Sequence, residues 1–320
     1  MPRRIYLLTF SHCPASTCQG LDEFHGRMAS RSLVFENHYL QRPLAECPFE
    51  ALGGDTSFAR LRALVSAGGV SVRMVLVGDV GDEVTRQLPQ WLNVLPTANG
   101  VGEGMIDPAS ELPPQMSAPC LFWVHTVLPA DAGADQLSEL VTQVREFASD
   151  TQHLLMVTFL NGGSVCQPDR FQSLLFEGDV RVPLWIEFSH PPCRIQTLTG
   201  SFDIAATIAD ELKGVDREVQ AQETAAAAVN LLRLAEGPGT RSDRFLFIDA
   251  GDVLAVRTSG FLFAHSGDGL DRVAALYAKP EDVWNMNDVS AGYHAVVEEL
   301  GALLRPDRAD DQGATASAPA

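Results

Sequence analysis

Four residues with soft or borderline donor atoms, His12, Cys13, Cys18 and His25, fall within fourteen positions, and such a set is chemically able to hold zinc. The Cys-x4-Cys spacing lacks the second close pair that usually accompanies such a site, so a loop of hydrogen-bonded polar residues at a pocket edge is the simpler reading. Cys47 is a second candidate, as a nucleophile. It lies between Glu46 and Pro48, with Glu50 beyond, and without a cation to favour its thiolate it reads as a structural thiol. His125 follows the apolar run Leu121 to Val124 and reads as a hydrogen-bonded core residue rather than a general base. Glu36, Asp179, Asp249 and Asp252 read as solvated or turn-capping carboxylates. No glycine-rich nucleotide fingerprint follows a strand, since Asn161-Gly162-Gly163 matches none.

Charge narrows the partners. The chain of 320 residues carries 23 basic and 41 acidic residues, a formal net charge of -18. A nucleic-acid or anionic membrane surface needs clustered cations, so neither is expected. The only lysines are Lys213 and Lys279, which excludes any mechanism requiring a lysine earlier in the chain. The six cysteines contain no CxxC pair and read as free, buried thiols. Ile5 to Phe10 is too short an apolar run for a signal peptide or a membrane span, so a cytoplasmic protein is expected.

These residues must be positioned by a sizeable fold. Ile5–Thr9, Val72–Val77, Leu121–Val124, Leu154–Phe159 and Leu184–Phe188 are short apolar runs of the kind found in buried parallel sheets. Between them, Leu21–Ser32, Ser57–Ala67, Ala134–Ala148 and Asp203–Leu212 place apolar residues three or four apart, as helices do. The alternation predicts a mostly parallel, doubly wound α/β sheet over residues 1–212, with its ligand crevice at the carboxyl ends of the strands. Gly81 to Ala118 reads as a long connection. Residues 213–243 read as a helix, Gly214 to Leu234, and a linker broken at Glu236-Gly-Pro-Gly-Thr240. Residues 244–306 read as a small antiparallel sheet (Phe245–Ile248, a turn at Asp249–Asp252, Val253–Thr258, Phe261–His265) with a terminal helix, Ala291 to Leu304. Residues 307–320 have the composition of a solvated tail.

Five segments, in order, resemble the sulfatase family of the alkaline-phosphatase-like superfamily. They are Leu21–Phe24 with Leu33–Tyr39, Leu121–His125, Leu175–Leu184, Ala255–Thr258 and Leu276–Asp282, and the match spans about residues 5 to 304. The resemblance implies the sulfatase-like fold, with a small C-terminal antiparallel sheet. It also implies a metal-dependent ester hydrolase, and here the residues depart from the pattern. Ser11 and His12 stand where paired aspartates would bind a divalent cation, and Leu160 and Asn161 where a later Asp-His pair would. Aligning on Pro48 puts Glu46 at the nucleophile and Glu50 at the arginine, while Ala130 falls at the histidine of an Asp-Pro-His turn. A register slip of one residue would put Cys47 at the nucleophile instead. The two active-site lysines that the resemblance implies have no counterpart.

Cleavage by that scheme needs oxygen ligands around a hard cation, an activated nucleophile and cations for the developing charge. Glu46 and Glu50 would repel an anionic ester. The expectation is a catalytically degenerate, sulfatase-like pseudoenzyme with no metal and no cofactor, kept for binding or assembly. A hydrolase rebuilt from Glu46, His12 and Cys47 is the alternative. An anion sensor is a third reading, which would require cations in the crevice, where the sequence offers none. The partner is left open among another protein, a small ligand and a second copy of the chain.

Overall fold

The computed structural model describes residues 4–11, 21–43, 45, 47–78, 80, 82–95, 119–128, 134–148, 153–160, 175, 177–213, 228–236, 244–266 and 273–304. The elements of the first part are β1 (Arg4–Ser11), α1 (Leu21–Ala29), β2 (Leu33–Phe35), β3 (His38–Tyr39), α2 (Pro48–Ala51), α3 (Gly54–Ser66), β4 (Ser71–Val77), α4 (Asp82–Gln87) and β5 (Asn93–Leu95). Next come β6 (Cys120–Val127), α5 (Ala134–Ala148), β7 (His153–Phe159), α6 (Glu177–Val180), β8 (Leu184–Glu187), β9 (Cys193–Ile195), β10 (Thr199–Gly200), α7 (Phe202–Lys213) and α8 (Arg233–Glu236). The last part holds β11 (Phe245–Ala250), β12 (Val253–Thr258), β13 (Phe261–Ser266), β14 (Val273–Ala278) and α9 (His294–Leu303).

Eight strands form one sheet in the order β5-β4-β6-β1-β7-β8-β2-β9. All its pairings are parallel except those of β8, which runs antiparallel to both β7 and β2. Ile5 to Ser11 are all buried, which requires cover on both faces and explains why β1 reads as an unbroken apolar run. Part of that cover is α5, which turns Leu137, Leu140, Val141 and Val144 inward, and part is α7, which turns in Ile204, Ala205, Ile208 and Leu212. The spacing of three and four residues is that of one helical face.

β11 to β14 form a four-stranded antiparallel meander. Val256, Phe263 and Leu276 on one of its faces pack with Leu300 of α9, while Leu246, Ile248, Ala255 and Leu262 cluster with Tyr39, Leu175 and Val180 of the larger unit. Gln41 ties the two parts together: its Oε1 accepts the Phe202 N–H at 3.2 Å, its Nε2 donates to the Phe247 carbonyl at 3.2 Å, and its own carbonyl accepts the Asp249 N–H at 2.8 Å. A Cβ on Gly200 would lie 2.2 Å from Gln41 Oε1, so a side chain there would displace the amide that joins the two parts.

Several boundaries differ from the expectation. The connection from Gly81 contains a short helix and the edge strand β5, whereas 96–118 lie outside the described residues. The expected helix Gly214 to Leu234 is not helical over Val229 to Leu232. That segment is instead buried and anchored by side chains, with the Val229 N–H on Asp203 Oδ1 (2.8 Å) and the Leu231 N–H on Thr207 Oγ1 (2.9 Å). Such bonds replace the helical ladder. A fourth strand, β14, extends the small sheet. The linker at 237–243 and the tail lie outside the described residues.

Candidate functional site: the crevice at the strand ends

β1, β6 and β7 run parallel and end together, with Ser11 opposite Val127 and Phe10 opposite Phe159. Ligand crevices of open α/β sheets lie outside such carboxyl ends. Ser11 closes β1 and is buried. Beneath it a polar chain crosses to β6: Trp123 Nε1 donates to Thr9 Oγ1 (2.8 Å), Thr9 Oγ1 lies 2.9 Å from His125 Nδ1, and His125 Nε2 lies 3.3 Å from Ser11 Oγ. Residues 9 and 11, like 123 and 125, are two apart and therefore on one face of the sheet.

Counting donors assigns the protons. An indole can only donate, so Thr9 Oγ1 accepts from Trp123, and Thr9 is fully enclosed. If Nδ1 also carried a hydrogen, Thr9 would face two donors and its own hydrogen would have no acceptor. Thr9 therefore donates to Nδ1, and Nε2 carries the hydrogen that it offers to Ser11. A serine nucleophile needs the opposite arrangement, a bare ring nitrogen that takes its proton. His125 is thus a buried positioning group for Ser11, and the serine hydroxyl keeps its own hydrogen.

Leu160 follows β7. Its N–H donates to the Phe10 carbonyl at 2.8 Å and its side chain is buried. Of the four expected cation positions, Ser11 and Leu160 are described. They offer one hydroxyl, already engaged by His125, and no carboxylate, which does not fit the ring of oxygens that a hard cation requires. His12, Glu46, Ala130 and Asn161 lie outside the described residues, as do Cys13 and Cys18. Among the described residues, no group of three or more His, Cys, Asp or Glu side chains is placed to hold a metal ion. His25, the described member of the zinc candidate set, is on α1 with its ring edge-on to Trp185 at 5.0 Å.

Cys47 is the N-cap of α2, immediately before Pro48 at the first helical position, where proline is favoured. The thiol is enclosed. Burial pushes its pKa up, the backbone N–H groups of Glu50 and Phe49 pull it down, and the charge of Glu50 adds to the rise. It stays protonated near neutrality, as a structural cysteine does. Glu50 is not an isolated charge: Arg42 Nη1 donates to its Oε2 at 2.6 Å, and the same guanidinium lies over the Phe202 ring. The carboxylate also packs against the turn into α3, where a Cβ on Gly54 (φ 58°) would lie 2.6 Å from Glu50 Oε2. Among the described residues, no hydrogen bond or ion pair links Cys47 or Glu50 to Ser11 or Leu160.

A second cluster sits under the small sheet. Tyr39 OH donates to Glu177 Oε1 (3.1 Å), Arg257 Nη2 lies 3.3 Å from the same oxygen, and Lys279 Nζ lies at 3.7 Å. Arg257 also stacks over the Tyr39 ring at 5.1 Å. Lys279 donates to Asn285 Oδ1 (2.6 Å), and Asn285 Nδ2 donates to the Leu175 carbonyl (2.9 Å). All five side chains are buried. Burial pushes Tyr39 up to about 12 and pulls Lys279 down, the latter against the attraction of Glu177. Glu177, Arg257 and Lys279 each fall within a segment that carries the family resemblance, yet no sequence spacing shows that they meet. Glu36 likewise proves to be ion-paired, with Arg194 at 2.7 Å, rather than simply solvated.

No family model and no curated relative matches the sequence. Solved structures do match in fold. BT4656, described in complex with its substrate D-glucosamine-2-N,6-O-disulfate, superposes with a TM-score of 0.66 at 13% identity, covering 98% of this chain and 99% of that one. PsFucS1 sulfatase from Pseudoalteromonas sp. gives 0.58 at 13% identity, covering 99% and 92%. A protein of the alkaline phosphatase superfamily from Vibrio parahaemolyticus gives 0.56 at 11%, covering 93% and 88%. The chain therefore shares its fold with these solved structures, a sulfatase-like one. At these identities the likeness is one of fold alone.

Proposed function

We propose that the chain is a catalytically degenerate member of this fold, a pseudoenzyme that binds or assembles rather than turns over esters. The observation that carries the reading is the chain Trp123–Thr9–His125–Ser11, which fills the strand-end position with a neutral hydrogen-bonded network. With the protons assigned as above, the ring turns a donor rather than a base toward the serine. The side chain of Leu160, whose N–H bonds to the Phe10 carbonyl, has no ligand atom for a cation. The rebuilt hydrolase draws less support from its one described member, because Cys47 is held as a thiol.

The proposal extends to location. Among the described residues, Cys47, Cys120 and Cys193 are free thiols, Cys193 half-buried, and no helix is long and apolar enough to cross a membrane. Both fit a cytoplasmic protein, where thiols stay reduced. The reading is tested by elemental analysis of the purified, dialysed chain. No stoichiometric calcium, magnesium or zinc is expected, and about one equivalent of any of them would overturn the metal-free crevice.

A further inference from the structure

The segment that follows β14 holds large apolar side chains in solvent. Trp284 is 67% exposed, Met286 69% and Tyr293 47%. They belong to one end of the small sheet: Ala278, the last residue of β14, pairs with Phe261, and the Tyr293 ring lies 5.3 Å from that of Phe261. Single exposed apolar residues are ordinary on any surface. These differ in being held out by a fixed turn.

The turn is anchored from inside. Asn285, between Trp284 and Met286, is fully buried. Its Oδ1 accepts from Lys279 Nζ at 2.6 Å, and its Nδ2 donates to the Leu175 carbonyl at 2.9 Å. Its backbone is left-handed, with φ 54°, a conformation that asparagine takes more readily than most residues. The carboxylate of Asp282 accepts the N–H groups of Met286 (2.9 Å) and Asn287 (2.8 Å), and the Val289 N–H then returns to the Leu276 carbonyl at 2.8 Å. With Asn285 turned inward, its two neighbours are turned out. A turn fixed in this way loses little freedom when a partner encloses its side chains. Tryptophan and tyrosine are the residue types that, with arginine, carry most binding energy at interfaces, and methionine is enriched there.

Charge selects the partner. From 280 to 304 the chain has five acidic residues, Glu281, Asp282, Asp288, Glu298 and Glu299, and no lysine or arginine. All but Asp282 are exposed. Lys279, the cation next to the segment, is enclosed and faces Glu177. A second copy would set this acidic surface against another chain of net charge -18, and like charges across an interface disfavour association. The same carboxylates favour a basic surface.

We propose that the 280–288 turn, with Tyr293, is a docking surface for a protein partner that presents an apolar patch rimmed by lysine and arginine. Trp284 and Met286 enter the apolar part, and the carboxylates face the rim. None of these residues belongs to the strand-end crevice, so the inference stands whether or not that crevice turns over esters.

Isothermal titration calorimetry of the full chain tests it, with an amphipathic helix of about 18 leucine and lysine residues as the probe, an apolar stripe flanked by cations. Two further helices are controls, one with glutamate in place of lysine and one with glutamine in place of leucine. The Leu/Lys helix is expected to bind one per chain, at least tenfold more tightly than either control, and more weakly as salt is raised. Trp284→Ala should weaken it at least tenfold and Met286→Ala by less, with the melting temperature unchanged because both side chains lie largely in solvent. Lack of binding, equal binding of the Gln/Lys helix, or binding that survives Trp284→Ala would overturn the proposal. So would a dimer in sedimentation, or adsorption to phosphatidylcholine vesicles, that disappears with Trp284→Ala, since a second copy or a membrane would then be the occupant.

Discussion

The strand-end crevice and the joint beneath the small sheet treat charge in opposite ways. At the crevice, the described residues Ser11, His125, Thr9 and Trp123 form a chain of hydrogen bonds without a formal charge. At the joint, one carboxylate, two cations and a phenol are enclosed together. A buried charge is tolerated only when partners stand in fixed places, so the joint commits β12, β14 and α6 to one arrangement. Neutral polar groups commit less. Among the described residues, enclosed charge lies where the two sheets meet and none lies in the hydrogen-bonded chain at the strand ends.

The largest expected effect comes from breaking the joint. Glu177→Ala leaves Arg257 and Lys279 enclosed without their carboxylate and should destabilise the chain by about 3–5 kcal/mol, read by urea unfolding. A loss below about 1 kcal/mol would mean that the joint relaxes by admitting water. Next is acidification. His38 is fully buried and burial pulls its pKa down to about 3, with Arg244 adding to the fall. Its folded value lies below the unfolded one near 6.5, so the unfolded chain binds the proton first. Stability is fully present above pH 6.5 and is lost as pH falls from there toward 3, by about 1.4 kcal/mol per unit. Urea midpoints between pH 7.5 and 5 should show that slope, and His38→Asn should flatten it.

A smaller loss is expected in the crevice. Trp123→Phe removes the indole donor to Thr9 Oγ1, costing about 1–3 kcal/mol; it also frees Thr9 to accept from Nδ1, so the ring of His125 should change tautomer, visible in its nitrogen chemical shifts. Unchanged shifts would refute the proton assignment. The smallest effect belongs to Arg42→Gln, because the pair with Glu50 is part-exposed on both sides. A change of no more than about 1 kcal/mol is expected, and a larger one would show that Glu50 anchors the Gly53-Gly54 turn.

Legibility in the sequence followed local physics. β1, β7 and α5 were readable because a doubly covered strand must be apolar throughout and an amphipathic helix must repeat every three to four residues. Val229 to Leu232 was not, since what holds it is the reach of Asp203 and Thr207 from a distant helix. At the site, Ser11 and Leu160 could be placed on strand ends from their runs. The direction of the proton on His125 needed Trp123, whose indole is tied to Thr9 across two strands 114 residues apart. The role of Arg42 was hidden for a related reason: eight residues separate it from Glu50, and a loop and a helix start bring them together.

The central claim, that the crevice does not turn over esters, is tested most directly by assaying the purified chain against 4-nitrophenyl sulfate and 4-nitrophenyl phosphate with calcium or magnesium added. Release of 4-nitrophenol should match the buffer control, and the double variant Glu46→Ser, Glu50→Arg should be equally inactive, because groups of such a site act as a unit and the cation ligands would still be missing. Turnover by the natural chain that disappears on Glu46→Gln would contradict the account and show an active site rebuilt on the old crevice.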